Sequence, residues 1–162
     1  AKEDANIIIA TDPDCDRVGV AFKNKEGKYI MLNGNQIGAL LTEYILSARN
    51  ESGILPNNGA LIKTVVTSEL GSQIAKYYGV EVFNTLTGFK FIGDLMEEFD
   101  NNNKYKFILG YEESYGYLVG DHVRDKDAVV ASMLIAEMAA YYYHKGMTLE
   151  EAMESIHKKH GY

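Results

Sequence analysis

A chain of 162 residues, 46% apolar and 24% charged, is long enough for one domain with a real core, or for one domain plus a fragment of another. A formal net charge of −7 argues against a nucleic-acid or anionic-membrane surface, although local Arg and Lys can still hold a small phosphorylated ligand. Cys15 is the sole cysteine, which excludes an internal disulfide and fits a reducing cytoplasm.

In chain order, Asn6 to Ala10 reads as a buried strand that runs into Asp12-Pro13-Asp14-Cys15-Asp16-Arg17. Val18 to Phe22 and Lys28 to Leu32 read as a hairpin around Asn24-Lys25-Glu26-Gly27. Asn33-Gly34-Asn35 opens a helix whose apolar face, Ile37, Leu40, Leu41, Tyr44, Ile45 and Ala48, keeps a 3.6-residue period. After a loop holding Pro56, strands and helices alternate. Leu61 to Val66 is a strand, Glu69 to Tyr78 a helix with Ser68 as N-cap and Gly79 as its end, and Val80 to Asn84 a strand. Ile92, Leu95, Met96 and Phe99 mark an amphipathic helix; Phe107 to Leu109 is a strand, and Tyr117 to Val119 a short antiparallel one.

Ala128 to His144 reads as a long helix, apolar on most sides and therefore sandwiched, that stops at Gly146. Its apolar run is broken by Ser132 and Glu137 and is too short to span a bilayer. Thr148-Leu149-Glu150-Glu151 is a capping box that opens a last helix. The alternation predicts an α/β fold, a mainly parallel mixed sheet with helices on both faces. No signal-peptide pattern is read, and a start at Ala1 without methionine, just before a strand, reads as a piece of a larger protein.

The aspartate turn poses a physical question. Three carboxylates, Asp12, Asp14 and Asp16, repel one another unless a cation sits between them, and carboxylate oxygens suit hard cations such as Mg²⁺. In an extended turn, spacing by two aims alternate side chains the same way. An EF-hand loop begins similarly but needs Gly where Arg17 stands and an acid where Lys23 stands. A haloacid-dehalogenase-type phosphatase has D-x-D after a strand, with Thr or Val expected where Asp16 stands. A solvated acidic turn is the bland alternative. Arg17 forks naturally onto phosphate oxygens.

Three further clusters follow predicted strands. Thr85-Leu86-Thr87-Gly88-Phe89-Lys90 lies beyond a strand's carboxyl end, where α/β folds place ligands; alternatively it is an ordinary turn capped by Thr87. Gly110-Tyr111-Glu112-Glu113-Ser114-Tyr115-Gly116 sets two acids and a hydroxyl between glycines, suited to gripping sugar hydroxyls, or forms a plain polar loop. Asp121-His122-Val123-Arg124-Asp125-Lys126-Asp127 precedes the long helix. There Asp127 suits the helix dipole, while His122 and Lys126 suit phosphate contact or proton transfer.

In type, order and spacing these four clusters resemble the α-D-phosphohexomutases, the phosphoglucomutase/phosphomannomutase superfamily. The family's metal loop has the form D-G-D-x-D-R, matched by Asp12 to Arg17. Its sugar loop, G-x-E-E-S-x-G, is matched through Gly116; its T-G-x-K segment by Thr87, Gly88 and Lys90; and its K-D-G by Lys126-Asp127. The departures are Pro13 and Cys15, where glycines are usual, and Ala128 for the last Gly of K-D-G.

The resemblance implies Mg²⁺ on Asp12, Asp14 and Asp16, and Arg17 at the phosphoryl region. It puts Glu112 and Ser114 on sugar hydroxyls, with Thr87 and Gly88 lining the approach. Lys126, and with it His122 and Lys90, would contact substrate or assist proton transfer. The implied reaction moves phosphate between C1 and C6 of a hexose through a phosphoserine and a bisphosphorylated sugar.

The resemblance also implies a layout. Residues 1–33 would end a second domain, 34–147 would form a third, sugar-binding domain, and 148–162 would lead toward a fourth. The phosphoserine motif, T-A-S-H-N-P-like, is not in this sequence, so the piece alone is expected to be inactive and its partners to be the other domains and a sugar phosphate. Glucose, mannose and pentose phosphates stay open as substrates. An Asp12-nucleophile phosphatase and a non-catalytic sugar-binding module are the rival readings.

Overall fold

The computed structural model describes residues 3–161; Ala1, Lys2 and Tyr162, at the ends of the expected outer units, lie outside it. The first three strands, β1 (Ile7–Thr11), β2 (Val18–Lys23) and β3 (Tyr29–Leu32), form an antiparallel sheet in that order. In β2, Val18, Val20 and Phe22 are buried and alternate with half-buried neighbours, the period of a sheet with one covered face. The hairpin turn is held by Asn24, whose Oδ1 accepts from the amides of Glu26 (3.1 Å) and Lys28 (2.9 Å).

The expected buried strand at Asn6 to Ala10 is corrected here. β1 has Ile7 and Ile9 against the core, but Ile8 is 41% exposed. An unbroken apolar run does not reveal how many faces are covered, and among the described residues only the face toward the later helices is.

Helix α1 (Gly34–Glu51) opens with a capping box between Asn33 and Gln36, and Ile37, Leu40, Leu41, Tyr44 and Ile45 are buried as their period requires. The second sheet contains β4 (Gly59–Thr64), β5 (Glu81–Thr85), β6 (Lys106–Tyr111) and β7 (Tyr117–Val119) in the order β5-β4-β6-β7. Central β4 is parallel to both neighbours and buried along its whole length, whereas β7 runs antiparallel to β6.

Helices cover both faces of this sheet. Leu61, Ile108 and Leu109 join the core with α1 and α2 (Leu70–Tyr77). Ala60, Ile62, Phe107 and Leu118 meet Ile92, Met96 and Phe99 of α3 (Phe89–Asn102) on the other. Ser68 is not the cap of α2: Glu69 occupies that position, and Ser68 Oγ instead accepts from the Leu70 amide at 3.3 Å.

Helix α4 (Ala128–His144) packs on β7, β1 and β2. Ala131, Ile135, Met138 and Tyr142 form its buried stripe, while Val129, Met133 and Tyr143 are exposed. Among the described residues it is therefore covered on one side and not sandwiched. Helix α5 (Leu149–His160) starts at the expected Thr148–Glu151 capping box. Its last turn is tied to α1 through Glu43, which meets Lys159 at 2.8 Å and the buried His160 at 2.9 Å.

One close approach fixes the end of β6. Tyr111 is fully buried, and a Cβ at Gly38 of α1 would come within 2.2 Å of its ring, one at Gly71 of α2 within 2.0 Å of its hydroxyl. Only glycine lets both helices close on this ring. Among the described residues no helix is long and apolar enough to cross a membrane.

Candidate functional site

The β1–β2 turn brings one oxygen each of Asp12, Asp14 and Asp16 within 4.8 Å of one another. The convergence does not come from an extended turn. Cys15 sits in the left-handed region at φ 56°, its amide donates to Asp12 O at 3.1 Å, and the chain folds back on itself. Asp12 Oδ1 accepts the amides of Asp16 and Arg17, each at 3.1 Å. The Arg17 amide is the main reason that the Asp12 carboxyl is held below its ordinary value, and so ionised. Three carboxylate groups on a preformed turn fit a hard divalent cation.

The turn is joined to the second sheet by its backbone. Arg17 bridges Gly116, the Val18 amide donates to Tyr115 O at 3.1 Å, and the Ala128 amide donates to Cys15 O at 3.0 Å. The aspartate turn, the Glu112–Ser114 loop and the start of α4 are thus one hydrogen-bonded unit.

Lys126 spans the unit. Its Nζ lies 3.0 Å from Asp16 Oδ2 and 3.0 Å from Asp125 Oδ1, and 5.5 Å from the centre of the Phe89 ring. Its stem runs so close over Gly116 that a Cβ there would meet it at 2.4 Å. Burial disfavours the ammonium, but Asp125 and Asp16 outweigh that and raise its pKa.

Glu112 is buried, and its Oε1 accepts from the Gly88 amide at 3.0 Å, which brings the T-G-x-K segment to the E-E-S loop. Gly88 has φ 121° and is itself the N-cap of α3, so Thr87 is not the cap; it lies exposed just before it. Lys90, also exposed, shares a groove with Phe89, Arg124, Asp125 and Lys126. Ser114 is exposed at the loop's tip.

His122 stands one step back. Its Nε2 lies 2.9 Å from Asp127 Oδ2, while Asp127 Oδ1 caps α4 by accepting from Val129 (2.9 Å) and Val130 (3.0 Å). Burial works against the Asp127 charge, but His122 and the two amides prevail and lower its pKa.

Sequence reasoning missed the support behind the loop. Glu113 Oε2 accepts from Thr64 Oγ1 and Thr67 Oγ1, and the buried Lys63 holds the Thr67 carbonyl and Glu69. Their only signal was polar residues closing the apolar β4 run. A separate groove between β1, β2 and α4, lined among others by Ile7, Phe22, Ala140 and Tyr143, has no carboxylate in its lining.

Residues 33–160 match the domain described as phosphoglucomutase/phosphomannomutase, alpha/beta/alpha domain III. A phosphoglucomutase of Staphylococcus haemolyticus is 40% identical over 158 residues, 98% of this chain and 28% of its own length. Among solved structures, parafusin, a phosphoglucomutase of Paramecium in an open form, superposes with a TM-score of 0.73 at 24% identity, over 97% of this chain and 25% of that one. An Aspergillus fumigatus N-acetylphosphoglucosamine mutase, solved with GlcNAc-6P and magnesium, gives 0.63 at 18% identity, over 91% of this chain and 34% of that one. The chain thus spans somewhat more than a quarter of the curated relative it matches.

Proposed function

From the chain's membership of the phosphoglucomutase/phosphomannomutase family, we propose that the protein carrying it is an isomerase interconverting hexose 1-phosphate and hexose 6-phosphate. Residues 1–33 would close one domain with the metal turn, 34–147 would be the sugar-binding domain, and 148–162 would lead to a further domain. The serine that carries the phosphate lies outside this sequence, and a cytoplasmic location suits the single free Cys15.

The observation that carries this reading is the meeting of the four motifs: Asp16 with Lys126 at 3.0 Å, Glu112 with Gly88 at 3.0 Å, and Arg17 bridged to Gly116. Asp12, Asp14 and Asp16 would hold Mg²⁺, in keeping with the magnesium of the Aspergillus enzyme. When bound, the ion neutralises phosphoryl charge. Arg17 contributes a second positive contact from the same turn. Glu112 and Ser114 grip ring hydroxyls, and Thr87 and Gly88 border the sugar's path. Lys126, His122 and Lys90 supply charge or move a proton.

In the first half-reaction the P–O bond to serine breaks as one to a sugar hydroxyl forms, and that hydroxyl's proton passes to a basic side chain; in the second, the sugar's other P–O bond breaks as the bond to serine re-forms, and the freed sugar oxygen takes up a proton. Between the two, the bisphosphorylated sugar turns round. A site that grips hydroxyls through paired acceptors serves both orientations. Glucose is the favoured hexose, by the curated relative's name.

The test is turnover of glucose 1-phosphate with Mg²⁺. The complete protein is expected to turn over and the 162-residue chain is not. Robust turnover by the chain alone would overturn the requirement for the outside serine, and an inactive complete protein would overturn the function. A phosphatase using Asp12 predicts instead hydrolysis of generic phosphate esters without isomerisation.

A further inference from the structure

The Tyr111–Gly116 loop carries two neighbouring acids with different surroundings. Glu112 turns its Oε1 to the Gly88 amide, within the candidate site. Glu113 is engaged from behind. Its Oε2 accepts from Thr64 Oγ1 and Thr67 Oγ1, each at 3.1 Å, and the two hydroxyl oxygens are 2.6 Å apart. Both threonines are buried, at the end of β4 and in the loop that follows. Two hydroxyl protons fill at most two of these three short contacts at a time, so the threonine pair and the Glu113 oxygen form one compact polar cluster in which the acidic side chain is an acceptor.

The threonine platform is itself fixed. Lys63, fully buried in β4, donates to Thr67 O at 3.0 Å and to Glu69 Oε1 at 2.8 Å, which ties down the loop between β4 and α2. The Glu113 carbonyl oxygen, in turn, lies where a Cβ on Gly34 would be 1.9 Å away, so the start of α1 sits tight against the loop's backbone. Glu113 is therefore clamped through its side chain and its main chain. Glu112 and Ser114 stand directly on either side of it.

Resting on the functional reading above, we propose that Glu113 is a positioning residue for sugar recognition. It does not touch the sugar. Held by Thr64 and Thr67, it sets where Glu112 and Ser114 present their oxygens to the ring hydroxyls. The metal turn reaches the loop at Arg17–Gly116 and Val18–Tyr115, beyond Ser114, so the cation site does not depend on the clamp.

The experiment uses the complete protein and compares wild type with Glu113→Ala, Glu113→Gln, Thr67→Val and the Thr64→Val/Thr67→Val double variant. Three quantities are read: KM for glucose 1-phosphate, kcat, and the Mg²⁺ dissociation constant measured without sugar. Glu113→Ala and the double variant are expected to raise KM by about tenfold or more while Mg²⁺ affinity stays within about twofold. Glu113→Gln, which keeps an acceptor oxygen, should restore KM to within about threefold of wild type.

A KM for Glu113→Ala within about twofold of wild type would overturn the proposal, as would KM and Mg²⁺ affinity weakening together. Should Glu113→Ala not fold, Thr67→Val, which is isosteric, carries the test: a rise in KM supports the clamp and an unchanged KM overturns it. A wild-type protein without turnover would overturn the functional reading itself, and a wild type that turns over beside an unaffected Glu113→Ala overturns this proposal alone.

Discussion

The ammonium of Lys126 lies 3.0 Å from a carboxylate oxygen of Asp16, and its stem runs across Gly116. One side chain therefore touches the aspartate turn and the E-E-S loop at once, from the segment that opens α4. The pair is mostly, not fully, shielded: Lys126 is 13% exposed and Asp16 27%.

Replacing Lys126 by Met should lower stability by about 1 kcal/mol, because a mostly shielded ion pair that still touches solvent is worth less than a fully buried one. On the proposed function it should lower turnover of the complete protein by about a hundredfold or more, as loss of a charge at a phosphoryl site does. The Lys126 pKa is raised above its ordinary 10.5, so its stabilising share is fully present below that value and is lost as pH climbs through the higher folded value. Urea unfolding of both proteins at neutral and alkaline pH checks the sign; a gap that widens on alkalinisation would contradict it.

Asp127 caps α4 and pairs with His122. Asp127→Ala should cost about 1 kcal/mol, whereas Asp127→Asn, which can still cap, should lose only the charge contribution. Its folded pKa lies below the ordinary 3.8, so the charge contribution is present above 3.8 and disappears as pH falls through the lower folded value. Thermal unfolding from pH 7 to pH 3 should show the wild type converging on Asp127→Asn at the acid end.

Cys15 holds φ 56°, a conformation that disfavours side chains by about 1–2 kcal/mol. Glycine relieves this and gives back about 0.4–1 kcal/mol through its greater freedom in the unfolded chain. Cys15→Gly is therefore expected to raise stability by about 0.5–1 kcal/mol and to leave the three carboxylates free to bind Mg²⁺. Calorimetric melting with and without Mg²⁺ measures both; a clear loss of stability would mean that the Thr11 hydroxyl contact to Cys15 Sγ, at 3.4 Å, matters more than the backbone.

Gly38→Ala drives a methyl to 2.2 Å from the ring of Tyr111, which is buried on all sides and cannot retreat. Overpacking of this kind costs about 1–3 kcal/mol and outweighs the gain of up to about 1 kcal/mol in helix propensity. Denaturant titration should show a net loss. Because Tyr111 directly precedes Glu112, sugar affinity should fall as well.

Much of the architecture was legible before any coordinates. The hairpin after the aspartates, the capping boxes at Asn33 and Thr148, and the short antiparallel Tyr117–Val119 strand are written in local patterns: period two, period 3.6, and a polar side chain three residues from its partner. The two failures of burial, at Ile8 and along the outer side of α4, share a cause. An apolar side chain states that it gains by leaving water but not what is available to cover it.

For the site, the sequence by itself determined which chemistry was on offer: three hard acids and an arginine on one turn, two acids and a hydroxyl between glycines, and a lysine beside a helix start. Only the tertiary structure decided who meets whom. It put Lys126 on Asp16, Gly88 on Glu112, and Thr64 and Thr67 on Glu113, and it assigned the two adjacent glutamates different environments. The physical reason is range. Propensity and capping act over a few residues of chain, whereas a salt bridge or clamp between distant segments exists only once the packing of α1 and α2 on one face of the sheet, and of α3 on the other, has set where each strand ends.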